Sequence, residues 1–86
     1  MWIKSESGQL LNLAHARVLE VFPSGDAWQV VAHFVGNEDG GEGVENPLFV
    51  PVCAPRTEKE AQHILDRIGG ALDGKDNYLD IARIRQ

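Results

Sequence analysis

The sequence predicts an α+β domain: a strongly curved antiparallel sheet of about five strands, followed by one amphipathic helix near the C-terminus. Two observations carry this reading. Up to residue 55 the chain alternates β-branched and aromatic runs with clusters of Gly, Pro, Ser and Asp. From Thr57 the apolar spacing changes from strand-like alternation to that of a helical face. At 86 residues the chain holds one domain, residues 1–86, with no internal repeat and no linker.

The elements follow in order. MWIKS and QLLNL flank the turn Glu6-Ser7-Gly8 and read as a hairpin, with Gly8 where positive φ is needed. ARVLEVF comes next and stops at Pro23-Ser24-Gly25-Asp26, whose residue types favour a turn. AWQVVAHFV then runs to Gly36. Residues 36–47, GNEDGGEGVENP, read as a flexible, acidic, Gly-rich hairpin loop. PLFVPVCAP follows it. Pro47, Pro51 and Pro55 share one parity, so their missing N–H groups lie on one side. That predicts an edge strand, with Leu48, Val50, Val52 and Ala54 pairing to AWQVVAHFV and proline blunting the outer side. Joining consecutive strands antiparallel is the simplest topology.

Thr57-Glu58-Lys59-Glu60 fits a capping box, in which the Thr hydroxyl and the Glu carboxylate each accept from a free N–H of the first turn. Ala61, Ile64, Leu65, Ile68 and Leu72 then share one helical face, expected to pack on the Trp28/Phe34 side of the sheet. Gly69 and Gly70 each weaken a helix by about 1 kcal/mol relative to Ala, which implies fraying or a close backbone neighbour. Gly74 suits the position just past the helix end. NYLDIARIRQ fits a helix or a strand, and we read it as a short strand.

The net charge of −5 is unevenly spread: residues 1–35 sum to −1, residues 36–47 to −4 and residues 48–86 to 0. No basic stripe exists to neutralise phosphates, which weighs against nucleic acid as a general partner. No apolar run approaches the roughly 20 residues of a membrane span. The N-terminal segment lacks the apolar core of a secretory signal. Cys53 stands alone, so no disulfide framework is possible and a reducing cytoplasm is the expected compartment.

Motifs for specific chemistry fail on spacing. A calcium loop needs glycine at its sixth position and a bidentate Glu at its twelfth. Counted from Asn37 these are Glu42 and Leu48; counted from Asp39, the third and fifth positions are Gly41 and Gly43. His15, His33, His63 and Cys53 show no close paired spacing for zinc. Ser7 and Ser24 sit in turns, Thr57 is a cap, and no Gly-x-Ser-x-Gly elbow surrounds any serine. The cluster 40-GGEG-43 precedes a strand rather than a helix, and its acidic neighbours would repel phosphate. No catalytic residue, metal or cofactor is therefore assigned, and a non-enzyme is expected.

One feature points to function. On AWQVVAHFV, Trp28, Val30, Ala32 and Phe34 share one face, and Gln29, Val31, His33 and Val35 the other. On VLEVF, Val18 and Phe22 oppose Leu19 and Val21. A single helix covers only one face of a small sheet. The expectation is an interaction module, a homodimer or the binder of another protein, with Val31, His33, Val35, Leu19 and Val21 at the interface. The alternatives are a single-stranded nucleic-acid binder using the sheet, since Trp2, Trp28, Phe22, Phe34, Phe49 and Tyr78 can stack bases, and a metal-dependent enzyme.

MWIKSESGQLLNL, together with TEKEAQHILDRI, resembles a loose group of small uncharacterised bacterial and phage-type proteins. These open Met-Trp-Ile, turn, continue with a Leu-Val-Asn-Leu-like strand and carry a helix with a Thr/Glu start. The likeness covers roughly residues 1–20 and 57–68. The chain departs from the group in its long acidic loop and at Ala14, where the pattern has an acidic residue. The resemblance implies architecture and attaches no function. The order of strands before a C-terminal helix also resembles a pleckstrin-homology-like roll, a likeness of fold alone.

Overall fold

A computed structural model describes residues 1–36 and 46–84. Strands β1 (Trp2–Lys4) and β2 (Leu10–Asn12) form the first hairpin, and a 3-10 turn (Leu13–His15) leads into β3 (Ala16–Ser24). Strands β4 (Ala27–Gly36) and β5 (Asn46–Pro51) follow, then helix α1 (Glu58–Asp73), β6 (Tyr78–Asp80) and a second 3-10 turn (Ile81–Arg83). The fold is α+β, as expected, but the single curved sheet of about five strands is not present. Two three-stranded sheets replace it, ordered β2-β1-β6 and β3-β4-β5. The short strand expected after the helix is present as β6, and it pairs with β1 in parallel.

Each hairpin forms for the reason its turn suggests. Gly8 takes φ +96 in the first turn, and Gly25 takes φ +62 between β3 and β4. Gly25 is the first central residue of a two-residue loop, a position where positive φ favours glycine. Ser5 is buried but satisfied, since its Oγ lies 2.9 Å from Ser7 Oγ and accepts from the Gln9 N–H at 3.1 Å. Strands β4 and β5 pair antiparallel as far as Gly36 and Asn46. The expected acidic hairpin loop lies outside the described residues.

Strand β5 is the edge strand that its prolines suggest. Pairing continues to Val52, whose N–H donates to the Val30 carbonyl at 2.7 Å. The expected pairing of Ala54 with β4 does not occur, because the Ala54 N–H donates to Glu6 Oε1 at 2.8 Å. Arg56 then rejoins the sheet by exchanging two 2.8 Å backbone bonds with Trp28.

Both halves of the expected capping box at Thr57 and Glu60 are formed. Ala61, Ile64, Ile68 and Ala71 are the buried residues of α1. The apolar stripe thus ends on Ala71, and Leu72 is left exposed. The helix does not fray at Gly69-Gly70, and a Cβ added at either would meet nothing within 4 Å. Its end is one residue later than Gly74 suggested. Gly74 is right-handed with φ −81, and Lys75 carries the left-handed φ of +61. The N–H groups of Lys75 and Asp76 bond the Leu72 and Ala71 carbonyls, the double closure of a Schellman end.

One apolar cluster joins the inner faces of both sheets to the helix. Ile3, Leu13 and Ile81 enter from the β2-β1-β6 side, Val30, Ala32, Val52 and Cys53 from the other, and Ala61, Ile64 and Ile68 from α1. Trp28 and Phe34 pack against this cluster, so the helix lies on the expected face of β4. A polar clasp also ties the sheets. Glu6, at the turn after β1, donates its N–H to the Val52 carbonyl, accepts from Ala54, and pairs with Arg56 Nη2 at 2.5 Å. Partial burial pushes the Glu6 carboxyl up, but the Ala54 hydrogen bond and the Arg56 guanidinium outweigh it and hold the carboxyl below its ordinary value.

No helix among the described residues is long and apolar enough to cross a membrane.

Candidate interaction surface

Alternation along a strand sorts its residues into two faces, but only register says which faces of neighbouring strands coincide. Here Val18 pairs with His33, Glu20 with Val31, and Phe22 with Gln29. On the other side of β4, His33 pairs with Phe49 and Val31 with Pro51. The sheet face opposite the helix is therefore Val18, Glu20, Phe22, Gln29, Val31, His33, Phe49 and Pro51.

The five expected interface residues do not share this face. Val31 and His33 lie on it. Leu19 pairs with Ala32 and Val21 with Val30, so both belong to the helix side and pack against the core. The β3 residues that accompany Val31 and His33 are Val18, Glu20 and Phe22. Val35 pairs with Pro47 in the ladder, and its side chain lies outside the described residues.

Phe22 and Phe49 come from the two outer strands and meet across β4, edge to face, with ring centroids 6.2 Å apart. The His33 ring stands 4.3 Å from Phe49, also edge to face. This bridge of rings explains a value that the face alone would not: Val31 is only 4% exposed, although no helix covers it. The rings that shield it remain open, with Phe49 52% and Phe22 39% exposed, and Val18 beside them 49% exposed. His33 Nε2 lies 2.6 Å from Glu20 Oε2, an ion-pair distance, but without the alignment of a hydrogen bond.

The remaining candidate ligands are scattered. Cys53 is in the core, on the opposite side of the sheet from His33. Its Sγ accepts from the Val30 N–H at 3.4 Å, and burial pushes the thiol up from its ordinary value. His63 is half-buried on α1, and His15 is exposed in the first 3-10 turn. Among the described residues, no three His, Cys, Asp or Glu side chains are grouped as a metal ion would require.

Sequence reasoning places Phe49 and Phe22 only among the rings able to stack bases, and nothing in PLFVPVCAP says that Phe49 would reach Phe22 from two strands away. A signal existed in the exposed-face parity shared by Phe49 and Pro51, but using it required the β4–β5 register. No protein family, curated protein or solved structure matches the chain.

Proposed function

We propose that the protein is a small non-catalytic interaction module that self-associates through the open face of β3-β4-β5. The observation supporting this reading is the exposed cluster of Val18, Phe22 and Phe49 around the shielded Val31. Burying such a cluster gains roughly 25 cal/mol per Å² of apolar surface removed from water. Among the described residues the face carries one carboxylate, Glu20, which lies 2.6 Å from His33 Nε2 at the margin of the apolar cluster. A two-fold axis through the cluster sets Phe22 and Phe49 of one copy against those of the other, the self-complementary arrangement of most homodimers.

Native mass spectrometry across a dilution series is the test. A dimer of bare chains is expected, and Val18→Glu or Phe49→Glu should convert it to monomer while circular dichroism stays unchanged. Val31→Glu is a poor probe, since burying an unpaired carboxylate would unfold the domain. A monomer at every concentration, or a dimer indifferent to both variants, defeats the proposal.

A further inference from the structure

A second surface has different chemistry. An open groove of about 500 Å³ runs by β6, the outer strand of its sheet, and is lined by Lys4, Arg67, Tyr78, Leu79, Asp80 and Arg83 among others. Three of the eight basic residues of a chain with net charge −5 thus converge on one cavity. They come from three parts of the fold: Lys4 from β1, Arg67 from α1 and Arg83 from the second 3-10 turn.

The groove's one carboxylate is already occupied. Asp80 Oδ1 accepts from the Ala82 N–H at 3.1 Å, and Oδ2 lies 3.5 Å from Arg83 Nε. Lys4 and Arg67 have no carboxylate within 4 Å among the described residues. Beside them Tyr78 is 51% exposed, and in the parallel ladder it pairs with Trp2, a second exposed aromatic on the same face. Exposed rings flanked by uncommitted cations are the elements of a base-stacking site.

We propose that this groove binds a nucleotide, with the base stacked on Tyr78 and the phosphate held by Lys4 and Arg67. A phosphate is the anion that two unpaired cations from separate elements recognise well, the guanidinium by its fork and the ammonium as a point charge. With Arg83 facing Asp80, the two remaining cations suffice for one phosphate, whereas the charge of −5 opposes a long polyanion. An acidic peptide fits less well. It would have to add to β6, whose three residues offer a short ladder, and it would leave the tyrosine face unused.

The test is an NMR amide-shift titration of the whole protein in low salt with AMP, adenosine, inorganic phosphate, an oligothymidylate and polyglutamate. AMP is expected to shift the amides of residues 78–84 and Lys4, and to bind more tightly than adenosine or phosphate. Arg67→Gln and Lys4→Gln should each weaken AMP several-fold and flatten its salt dependence. Tyr78→Ala should weaken it at least about fivefold, and Tyr78→Phe, which keeps the ring, should not. All of these side chains are exposed, so the fold should survive the substitutions. Tighter binding of the oligothymidylate would place the nucleotide in a strand; tighter binding of AMP would make it a free metabolite. Either result supports the site. No shift at millimolar AMP or oligonucleotide overturns it, as does phosphate binding as tightly as AMP, indifference to Arg67→Gln and Tyr78→Ala, or binding of polyglutamate alone.

Discussion

Sheet β3-β4-β5 joins strands that are neighbours along the chain, whereas sheet β2-β1-β6 joins its two ends, pairing Trp2 with Tyr78 and Lys4 with Asp80. The first has strands of nine, ten and six residues; the second has three strands of three. Local pairing closes small loops, so its ladder forms early and costs little entropy per contact. The terminal sheet has few ladder bonds, and its last strand follows α1 in the chain, so pairing it with β1 closes a loop of more than seventy residues. It depends instead on burial of Ile3, Leu13 and Ile81 and on the Glu6 clasp. A short sheet survives when its side chains belong to a core that another sheet has organised.

The strongest way to break the comparison is to empty that shared core. Ile64 is 1% exposed in the cluster that joins both sheets. Ile64→Ala should cost about 2–5 kcal/mol, a large part of the roughly 5–15 kcal/mol margin of a natural domain. Urea unfolding should shift to a lower midpoint with an unchanged slope and one transition. Two separate transitions, followed by Trp2 and Trp28 fluorescence in single-Trp variants, would mean the sheets are independent.

The clasp offers a smaller and more selective break. Glu6→Gln leaves an acceptor for Ala54 but removes the charge facing Arg56, and should cost about 1–3 kcal/mol at neutral pH. The sign of its pH dependence follows from the depressed carboxyl. The folded form holds the proton less tightly than the unfolded chain does. The stabilisation is therefore complete above the ordinary carboxylate value of about 4.3 and is lost as the pH falls through the lower folded value. The gap between wild type and Glu6→Gln should thus narrow on acidification. A gap that stays constant from neutral to acid pH would show that the ion pair contributes nothing.

The same contrast explains what the sequence made legible. Hairpin turns, the Thr57 cap, the proline-blunted edge and the short strand at the tail all depend on residues close together, and their chemistry could be read directly. Whatever required two distant segments could not. Glu6 looked like a turn residue because Arg56 stands fifty positions away. The parallel partner of β1 was hidden for the same reason, and so one sheet was expected where two exist. A local clue was overlooked, however. Leu11-Asn12-Leu13-Ala14 and Leu79-Asp80-Ile81-Ala82 repeat one pattern on the two flanks of β1. In each, an Asx side chain accepts from the alanine N–H two residues on, and the next apolar residue is buried. At the candidate surface, Val31 and His33 were legible because alternation within one strand is reliable, whereas Leu19 and Val21 were misassigned because register between strands is not written in either strand alone.

The smallest effects lie in the connection that delivers β6. Lys75 adopts left-handed φ at the helix end, a conformation costing roughly 1–2 kcal/mol for a residue with a Cβ. Glycine removes that cost but loosens the unfolded chain, so Lys75→Gly should stabilise by no more than about 1 kcal/mol. One turn earlier, Gly69 and Gly70 sit in helical backbone with open space where a Cβ would stand. Alanine there should add about 0.5–1 kcal/mol per site. Because α1 and its Schellman end lead directly into β6, these gains should slow hydrogen exchange at Tyr78–Asp80 and at Trp2–Lys4 beside it. If the helix is stabilised and exchange in the terminal sheet does not slow, that sheet opens by a route that leaves α1 folded, and its dependence on the helix lies in the Ile64 and Ile68 contacts rather than in the turn that follows.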